Sequence, residues 1–487
     1  MGSMQTLNPE TCRKARLSRD ARFDGQFFTA VKTTGIFCRP VCPVVPPKEE
    51  NVEYFPSAAA AMEAGFRPCL RCRPETAPQS AAWKGIEALA SKVLRKIDAG
   101  FLAEHSVPEL AESMGISERY VRDLCQRYAG ASPSQLEQAR RALLAKQLLF
   151  DSSLSIADIA FAAGYQSLRR FNEHWKAMFG KTPREMRRNP PEENHGWIHI
   201  RIPVTKHFDA DSVFDFLKTR LVKGTENMVQ DEQGQKEYQR VLLVKEQPLL
   251  IRVKYLIKQH CLAVYCEQAA LPRLQDILST VKRVFDVDAH SDIILQHLSA
   301  CDEFKTQLVG RKDIRLPGAF DPFEAAMRAV VGQQVSVKAA CTLLTRLSEH
   351  CGAAIPANES GFERALPDAQ QILAHELDGL GLTAARIASL KAIAQLQVDE
   401  PEVLSFEYDI ELRREKLLAI KGIGPWTVSY LEMRAFSLPD AFPAGDLGVR
   451  IALQKNGQRP SEKQVRDMSS LWAPWRAYAT LLLWQRL

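Results

Sequence analysis

The sequence predicts a multidomain α+β protein. It has a small cysteine-bearing domain, an all-α domain of paired helix-turn-helix units, a small antiparallel α/β subdomain, and a helical domain that contains a helix-hairpin-helix. Three observations carry this expectation. Two close cysteine pairs fall in the first 78 residues, a helical stretch repeats itself at a spacing of 49 to 50 residues, and the second half changes from two-residue alternation to helical spacing. The length of 487 residues suits about three domains at roughly 150 residues each. Hydrophobic residues make up 46% and charged ones 25%, ordinary values for a globular chain. No stretch approaches the ~18 consecutive apolar residues of a bilayer span, so collagen-like, disordered and membrane classes are excluded.

The first domain, residues 1–78, reads as loop-rich and is closed by Pro74 and Pro78. Cys38 and Cys42 stand in Thr33-Thr34-Gly35-Ile36-Phe37-Cys38-Arg39-Pro40-Val41-Cys42, and Cys69 and Cys72 in Gly65-Phe66-Arg67-Pro68-Cys69-Leu70-Arg71-Cys72. Two close pairs at this separation are the ligand set of a tetrahedral thiolate site, so one zinc per chain is expected. On spacing alone a purely structural zinc is the commoner meaning. The other cysteines form no second close set and read as core or surface thiols. Eleven cysteines without a signal-peptide pattern suit reduced thiols in a cytoplasmic setting.

These motifs resemble the N-terminal domain of the Ada-type DNA methylphosphotriester repair proteins. The resemblance implies that Cys38 is both zinc ligand and methyl acceptor. It also implies that Arg39, Arg67, Arg71 and Arg73 contact phosphates. The implied chemistry is coherent: a metal-held thiolate can attack a methyl group on a neutralised phosphate, and loss of one thiolate charge should strengthen binding to the DNA backbone.

Charge points the same way. Up to Pro190 there are 28 Lys+Arg against 20 Asp+Glu, a net of +8; the totals of 64 and 58 leave 36 against 38, a net of −2, for the remainder. The polyanion-seeking charge therefore lies in the first half. There, residues 81–188 carry the repeat. Leu110-Ala111 with Gly115 recurs as Ile159-Ala160 with Gly164, and Gly130-Ala131-Ser132-Pro133 recurs as Gly180-Lys181-Thr182-Pro183. Each copy reads as one helix-turn-helix, and the segment resembles the AraC-type DNA-binding domain. Recognition helices are expected over about 117–127 and 167–179, with Arg119, Arg122, Arg169 and Arg170 presented to base edges or phosphates of double-stranded DNA and Val121, Leu124, Phe171 and Trp175 in the core. For each arginine alone, a solvated helix face is an equal alternative.

Residues 197–287 open with Ile198, Ile200, Ile202 and Val204 on one side of a half-buried strand. Strand candidates follow at Val241 to Val244, Leu249 to Leu256 and Leu262 to Tyr265, and Phe214, Leu217 and Leu221 mark a helix face. Residues 288–487 are helical. Near their end stands Ile420-Lys421-Gly422-Ile423-Gly424-Pro425-Trp426, a Gly-x-Gly turn opening a helix; Gly422 and Gly424 there can present backbone N–H groups to a phosphate. Asp446 follows in Ala444-Gly445-Asp446-Leu447-Gly448, where a helix N-cap is the plain alternative to a catalytic role.

From about Trp197 to Leu487 the chain resembles DNA-3-methyladenine glycosylase II, the AlkA type of helix-hairpin-helix glycosylase. The resemblance implies that Asp446 stabilises a cation-like sugar and that Trp426, Tyr430 and Trp484 stack on a flipped alkylated base such as 3-methyladenine or 7-methylguanine. It also places Gln333 and Gln334 at the DNA, with Gln334 where a leucine wedge is usual. The expected whole is a methyl acceptor, a transcriptional activator working with RNA polymerase, and a base-excision enzyme in one cytoplasmic chain, with no membrane partner. Two rivals stay open: a regulator whose second half binds DNA without catalysis, and a glycosylase merely tethered by its first half.

Overall fold

The computed structural model describes residues 8–20, 23–42, 44–72, 74, 88–98, 100–152, 154–187, 197–244, 247–355, 361–406, 408–455 and 457–487. Arg73, Pro78 and the breaker-rich stretch 189–193 fall outside the described residues. The chain divides into two units, one of Met1–Pro203 with Glu267–Ser279 and Asp288–His290, the other of Val204–Cys266, Thr280–Val287 and Ser291–Leu487.

The first unit begins with α1 (Pro9–Ser18), capped by Asn8 with Pro9 in its first turn. A four-stranded sheet of order β3-β1-β2-β4 follows, built from β1 (Phe28–Val31), β2 (Ile36–Cys38), β3 (Val52–Phe55) and β4 (Arg67–Pro68), with α2 (Ala58–Glu63) between the last two. Its core is Phe28, Ala30, Phe37 and Ala61.

The helical repeat comprises α3 (Ala88–Asp98), α4 (Phe101–Glu104), α5 (Val107–Ser113), α6 (Glu118–Ala129), α7 (Pro133–Asp151), α8 (Ile156–Ala162), α9 (Leu168–Phe179) and α10 (Pro183–Met186), and β5 (Trp197–Pro203) comes next. The repeated Gly-x-Ser/Thr-Pro is a stop-and-restart signal. Gly130 and Gly180 end α6 and α9 in left-handed backbone, and Ser132 and Thr182 then cap α7 and α10 with capping boxes and Pro at the first position. Val121, Leu124, Phe171 and Trp175 are buried, as the periodicity requires. The α2 helix packs on α7 through Ala59, Ala131 and Ala139.

The second unit holds α11 (Ala210–Lys218) and the strands β6 (Glu226–Gln230), β7 (Lys236–Val244), β8 (Gln247–Leu256) and β9 (Cys261–Glu267), each antiparallel to the next. Helix α12 (Leu274–Val284) is divided between the units. Then come α13 (Ser291–Ser299), α14 (Pro322–Val331), α15 (Val337–Cys351), α16 (Ala369–Ala374), α17 (Ala384–Asp399), α18 (Ile410–Leu418), α19 (Pro425–Arg434), α20 (Leu447–Ala452), α21 (Glu462–Ser469) and α22 (Arg476–Trp484). Their core gathers Met327, Val330, Leu344, Leu347, Leu390, Ile393, Leu417, Val428 and Leu431, so α14, α15, α17, α18 and α19 share one apolar centre. Among the described residues no helix is long and apolar enough to cross a membrane.

Candidate metal centre and candidate active site

Strand pairing builds the cysteine site. β2 and β4 run parallel with Phe37 opposite Pro68, and the Cys69 N–H donates to the Phe37 carbonyl at 3.0 Å. Cys38 and Cys69 thus leave neighbouring strand ends together. A turn closed by the Cys42 N–H on the Arg39 carbonyl returns Cys42, and Cys72 follows in the turn after β4. All four sulfurs lie within 4.8 Å of one another and all four residues are buried. Four thiols so placed cannot ionise together without a cation: their mutual interactions hold Cys38 and Cys72 up while pushing Cys69 and Cys42 down. Soft, closely set sulfur donors fit one tetrahedral zinc.

The four sulfurs are not equivalent. The Arg39 N–H donates to Cys72 Sγ at 3.4 Å, the Arg71 N–H to Cys69 Sγ at 3.3 Å, and the Val44 N–H to Cys42. Among the described residues, Cys72, Cys69 and Cys42 thus each accept a backbone N–H. A sulfur that accepts N–H bonds has part of its charge already engaged. Arg39, expected to face phosphate, is instead held inside: its guanidinium pairs with Asp24 and donates to the Cys72 carbonyl. Arg67 and Arg71 are exposed. Arg119, Arg122, Arg169 and Arg170 are exposed on α6 and α9, with Arg122 paired to Glu118 and Arg169 to Glu173.

The second unit brings its candidate residues into one place. Gly424 starts α19 without a side-chain cap, leaving the first-turn N–H groups open. Gly422 has φ +91°, and a Cβ there would stand 2.2 Å from Ser389 Oγ, which itself donates to the Lys421 carbonyl at 2.8 Å. Gln333 is tied to this hairpin, its Nε2 donating to the Gly422 carbonyl at 2.9 Å and to Thr427 Oγ1 at 3.2 Å. Gln334 is exposed and lies in left-handed backbone at φ +54°, a strained position for a non-glycine residue. Of the two glutamines it is the one free to project.

Asp446 is an N-cap and more. Its Oδ1 accepts the Val449 N–H and the Trp484 indole N–H, both at 2.9 Å, and its Oδ2 accepts the Trp426 indole N–H at 2.8 Å. Two tryptophans thus orient one carboxylate, and Oδ2 retains a lone pair. Tyr430 stacks on Trp426 with centroids 5.3 Å apart and lies 6.5 Å from Trp484. Behind Tyr430 is a narrow cavity lined by Phe216, Arg220, Phe320 and Arg434, among others. The Arg220 and Arg434 guanidiniums lie 3.6 and 3.9 Å over the Phe216 ring, and burial pulls Arg434 down to about 10. These cavity residues were not foreseen. The one available signal was Arg434 a helical turn beyond Tyr430.

A four-sulfur centre with paired helix-turn-helix motifs in one unit, and a helix-hairpin-helix with an indole-held aspartate in the other, define a protein of DNA repair coupled to transcription. Residues 11–75 match the metal binding domain of Ada, residues 110–189 a helix-turn-helix domain, and residues 199–321 the AlkA N-terminal domain. The chain is 34% identical, over 98% of its length and 96% of the relative's, to the probable bifunctional transcriptional activator/DNA repair enzyme AlkA of Mycobacterium tuberculosis. It is also 26% identical to the Escherichia coli DNA-3-methyladenine glycosylase 2 over 57% of this chain and 93% of that one. With the Escherichia coli bifunctional transcriptional activator/DNA repair enzyme Ada it shares 31% identity over 35% of this chain and 47% of that protein. The chain belongs to the family of bifunctional transcriptional activator/DNA repair enzymes that join an Ada-type first half to an AlkA-type second half.

Proposed function

We propose that the protein takes the methyl group of a DNA methylphosphotriester onto Cys38 and excises alkylated bases at Asp446. Zinc, one per chain, keeps the four sulfurs as thiolates at neutral pH when bound. Cys38 Sγ forms a bond to the methyl carbon as the carbon–oxygen bond breaks. The electron pair stays on the phosphate oxygen, leaving a thioether and a restored phosphodiester. The sulfur is consumed, so each chain acts once. Arg67 and Arg71 hold the backbone near Cys38, while α6 and α9 place Arg119, Arg122, Arg169 and Arg170 on the duplex. Activation of transcription then needs RNA polymerase as a partner, in a cytoplasmic setting.

In the second unit the hairpin N–H groups beyond Gly422 and Gly424 bind a phosphate. Gln334 fills the space left by the flipped nucleotide, and Gln333 fixes the turn that presents it. The base enters between Trp426, Tyr430 and Trp484, whose faces favour a cationic purine such as 3-methyladenine or 7-methylguanine. The C1′–N bond breaks with its electrons leaving on the base, the Asp446 carboxylate offsets the positive charge left on the sugar, and water adds at C1′ as its proton passes to solvent. The observation that carries this reading is Asp446 held between two indole N–H groups, an arrangement a cap alone does not need.

Two measurements test the proposal. Mass spectrometry after incubation with methylphosphotriester DNA should find one added methyl on Cys38, and methyl on Cys42 or Cys69 would refute the acceptor assignment. Incubation with alkylated duplex should release free methylated purine, whereas binding without release would favour a pure regulator.

A further inference from the structure

Six charged side chains line the cavity behind Tyr430, four arginines and two glutamates. Arg240 pairs with Glu226 at 3.3 Å and with Glu324 at 2.6 Å, and Arg328 pairs with the same two carboxylates at 2.9 and 2.8 Å. Those two cations and two anions close on themselves. Arg220 and Arg434 are left over.

The surroundings of these two supply little negative charge. Arg220 Nη1 donates to the neutral Phe216 carbonyl at 3.2 Å and to Thr219 Oγ1 at 2.7 Å, and the groups that bear on it are Tyr430, Cys341 and the like-charged Arg328. Arg434 is 3% exposed, and its Nη1 is buried without a hydrogen-bond partner. Tyr430, the like-charged Arg220 and Asp286 bear on it, but the Asp286 carboxyl is engaged by the Leu316 N–H and the Tyr478 hydroxyl. Burial lowers Arg434 only to about 10, so it stays a cation at neutral pH. Both guanidiniums lie over the Phe216 ring, whose face supplies far less than a full counter-charge. A buried charge left in this state is costly. The cavity offers about 60 Å³, several times the ~10–15 Å³ that one water needs, so a small ion fits beside the two guanidiniums.

We propose that this cavity binds one small monovalent anion of the chloride class, held by Arg220 and Arg434. The anion answers a charge that the neighbouring carboxylates leave unanswered. Its place bears on the chemistry of the second unit, because Tyr430 stacks on Trp426 in the group of aromatics read as receiving a cationic purine. Two bare positive charges behind Tyr430 would oppose such a base, and a bound anion offsets part of that opposition. The effect on base release rests on the excision reading; the anion site itself does not.

The test uses the full-length zinc-loaded chain without DNA, so that no phosphate of a duplex can fill the site. Chloride is exchanged against gluconate, a bulky organic anion, at constant ionic strength. Wild type should broaden the chloride NMR line saturably. Arg434→Gln and Arg220→Gln should each bind chloride on the order of tenfold more weakly, the usual cost of losing a charge-assisted hydrogen bond, while Arg466→Gln, exposed on α21, should bind like wild type. Replacing gluconate by chloride should raise the melting temperature of wild type and leave that of Arg434→Gln unmoved, because only a ligand of the folded state stabilises it. Equal line broadening in all four chains, or a melting difference between wild type and Arg434→Gln that is the same in both salts, would mean a merely structural arginine and would overturn the proposal. Should Arg434→Gln fail to fold, Arg220→Gln carries the comparison. At saturating alkylated duplex, wild type should release 3-methyladenine several-fold faster in chloride than in gluconate, and the two variants should lose that dependence. Equal wild-type rates in the two salts would overturn the charge-relief role. Chloride that raises KM in wild type but not in the variants would place the base in the anion's cavity and overturn the proposal. If no base is released in either salt, the excision reading has failed instead, while line width and melting still decide the anion site.

Discussion

At the scale of single residues, Asp446 separates two demands. As a cap it offers one oxygen to the Val449 N–H, and asparagine caps about as well, within a few tenths of a kcal/mol. As a carboxylate facing a developing cation it supplies charge that an amide cannot, and losing such a group commonly costs on the order of a hundredfold or more in rate. Asp446→Asn is therefore expected to melt near wild type, bind alkylated duplex and still accept a methyl on Cys38, yet release 3-methyladenine and 7-methylguanine far more slowly. Near wild-type release of both bases would reduce Asp446 to a cap. Both this residue and the cysteine quartet were legible because their signals are local: close cysteine pairs, or an aspartate beside a hairpin. Phe216, Arg220 and Arg434 were not legible, since folding brings them together from distant parts of the second unit.

At the scale of elements, the hairpin between α18 and α19 depends on Gly422 for two independent reasons, a φ of +91° and the nearness of Ser389 Oγ. Gly422→Ala should destabilise the second unit by about 1–3 kcal/mol and weaken alkylated-duplex binding, as thermal melts and binding titrations would show. Zinc content should be unchanged. A second element-level expectation concerns Asp286, half-buried in left-handed backbone, whose carboxyl accepts the Leu316 N–H and the Tyr478 hydroxyl, each at 2.8 Å. Burial pushes this carboxyl up to about 7, above its unfolded value of roughly 4. Its contribution to stability is therefore full below about pH 4 and lost as pH rises toward 7. Relative to wild type, Asp286→Asn should gain stability as pH rises from about 4 to 7 in paired melts; a constant difference would show that the group does not titrate in that window. Helix ends were readable wherever Gly, Ser or Thr and Pro stand in order, as in both repeats. α1 carries start signals in Asn8, Pro9 and Glu10, but its sparse apolar spacing does not mark it out within the loop-rich first domain. β6 escaped because Glu226 to Gln230 shows no alternation, its strand character coming from pairing with β7.

Over the whole molecule, the positive charge concentrated before residue 190 should govern how the chain meets DNA. Neutralising phosphates releases counterions, so each contact adds about one unit to the slope of log affinity against log salt. Arg119 and Arg170 are the sharpest probes of this. Both are exposed on the two recognition helices, and among the described residues neither is in an ion pair, whereas Arg122 and Arg169 are shared with Glu118 and Glu173. Committing Arg119 and Arg170 to phosphate thus breaks nothing. Exposed Lys206 and Lys258 serve as the control pair, lying in the second unit, where the acidic and basic residues nearly balance. The double variant Arg119→Gln/Arg170→Gln should reduce the salt slope for an undamaged duplex by about two, while Lys206→Gln/Lys258→Gln leaves it unchanged. Because the substitutions remove charge but no buried packing, melting temperature, zinc content and base release at low salt should stay near wild type in both. If the two double variants lose slope equally, binding follows total charge rather than the recognition helices, and α6 and α9 do not lead the approach to DNA. If neither loses slope, the phosphate contacts belong elsewhere, and the hairpin N–H groups, which carry no titratable charge, would be the principal anchor.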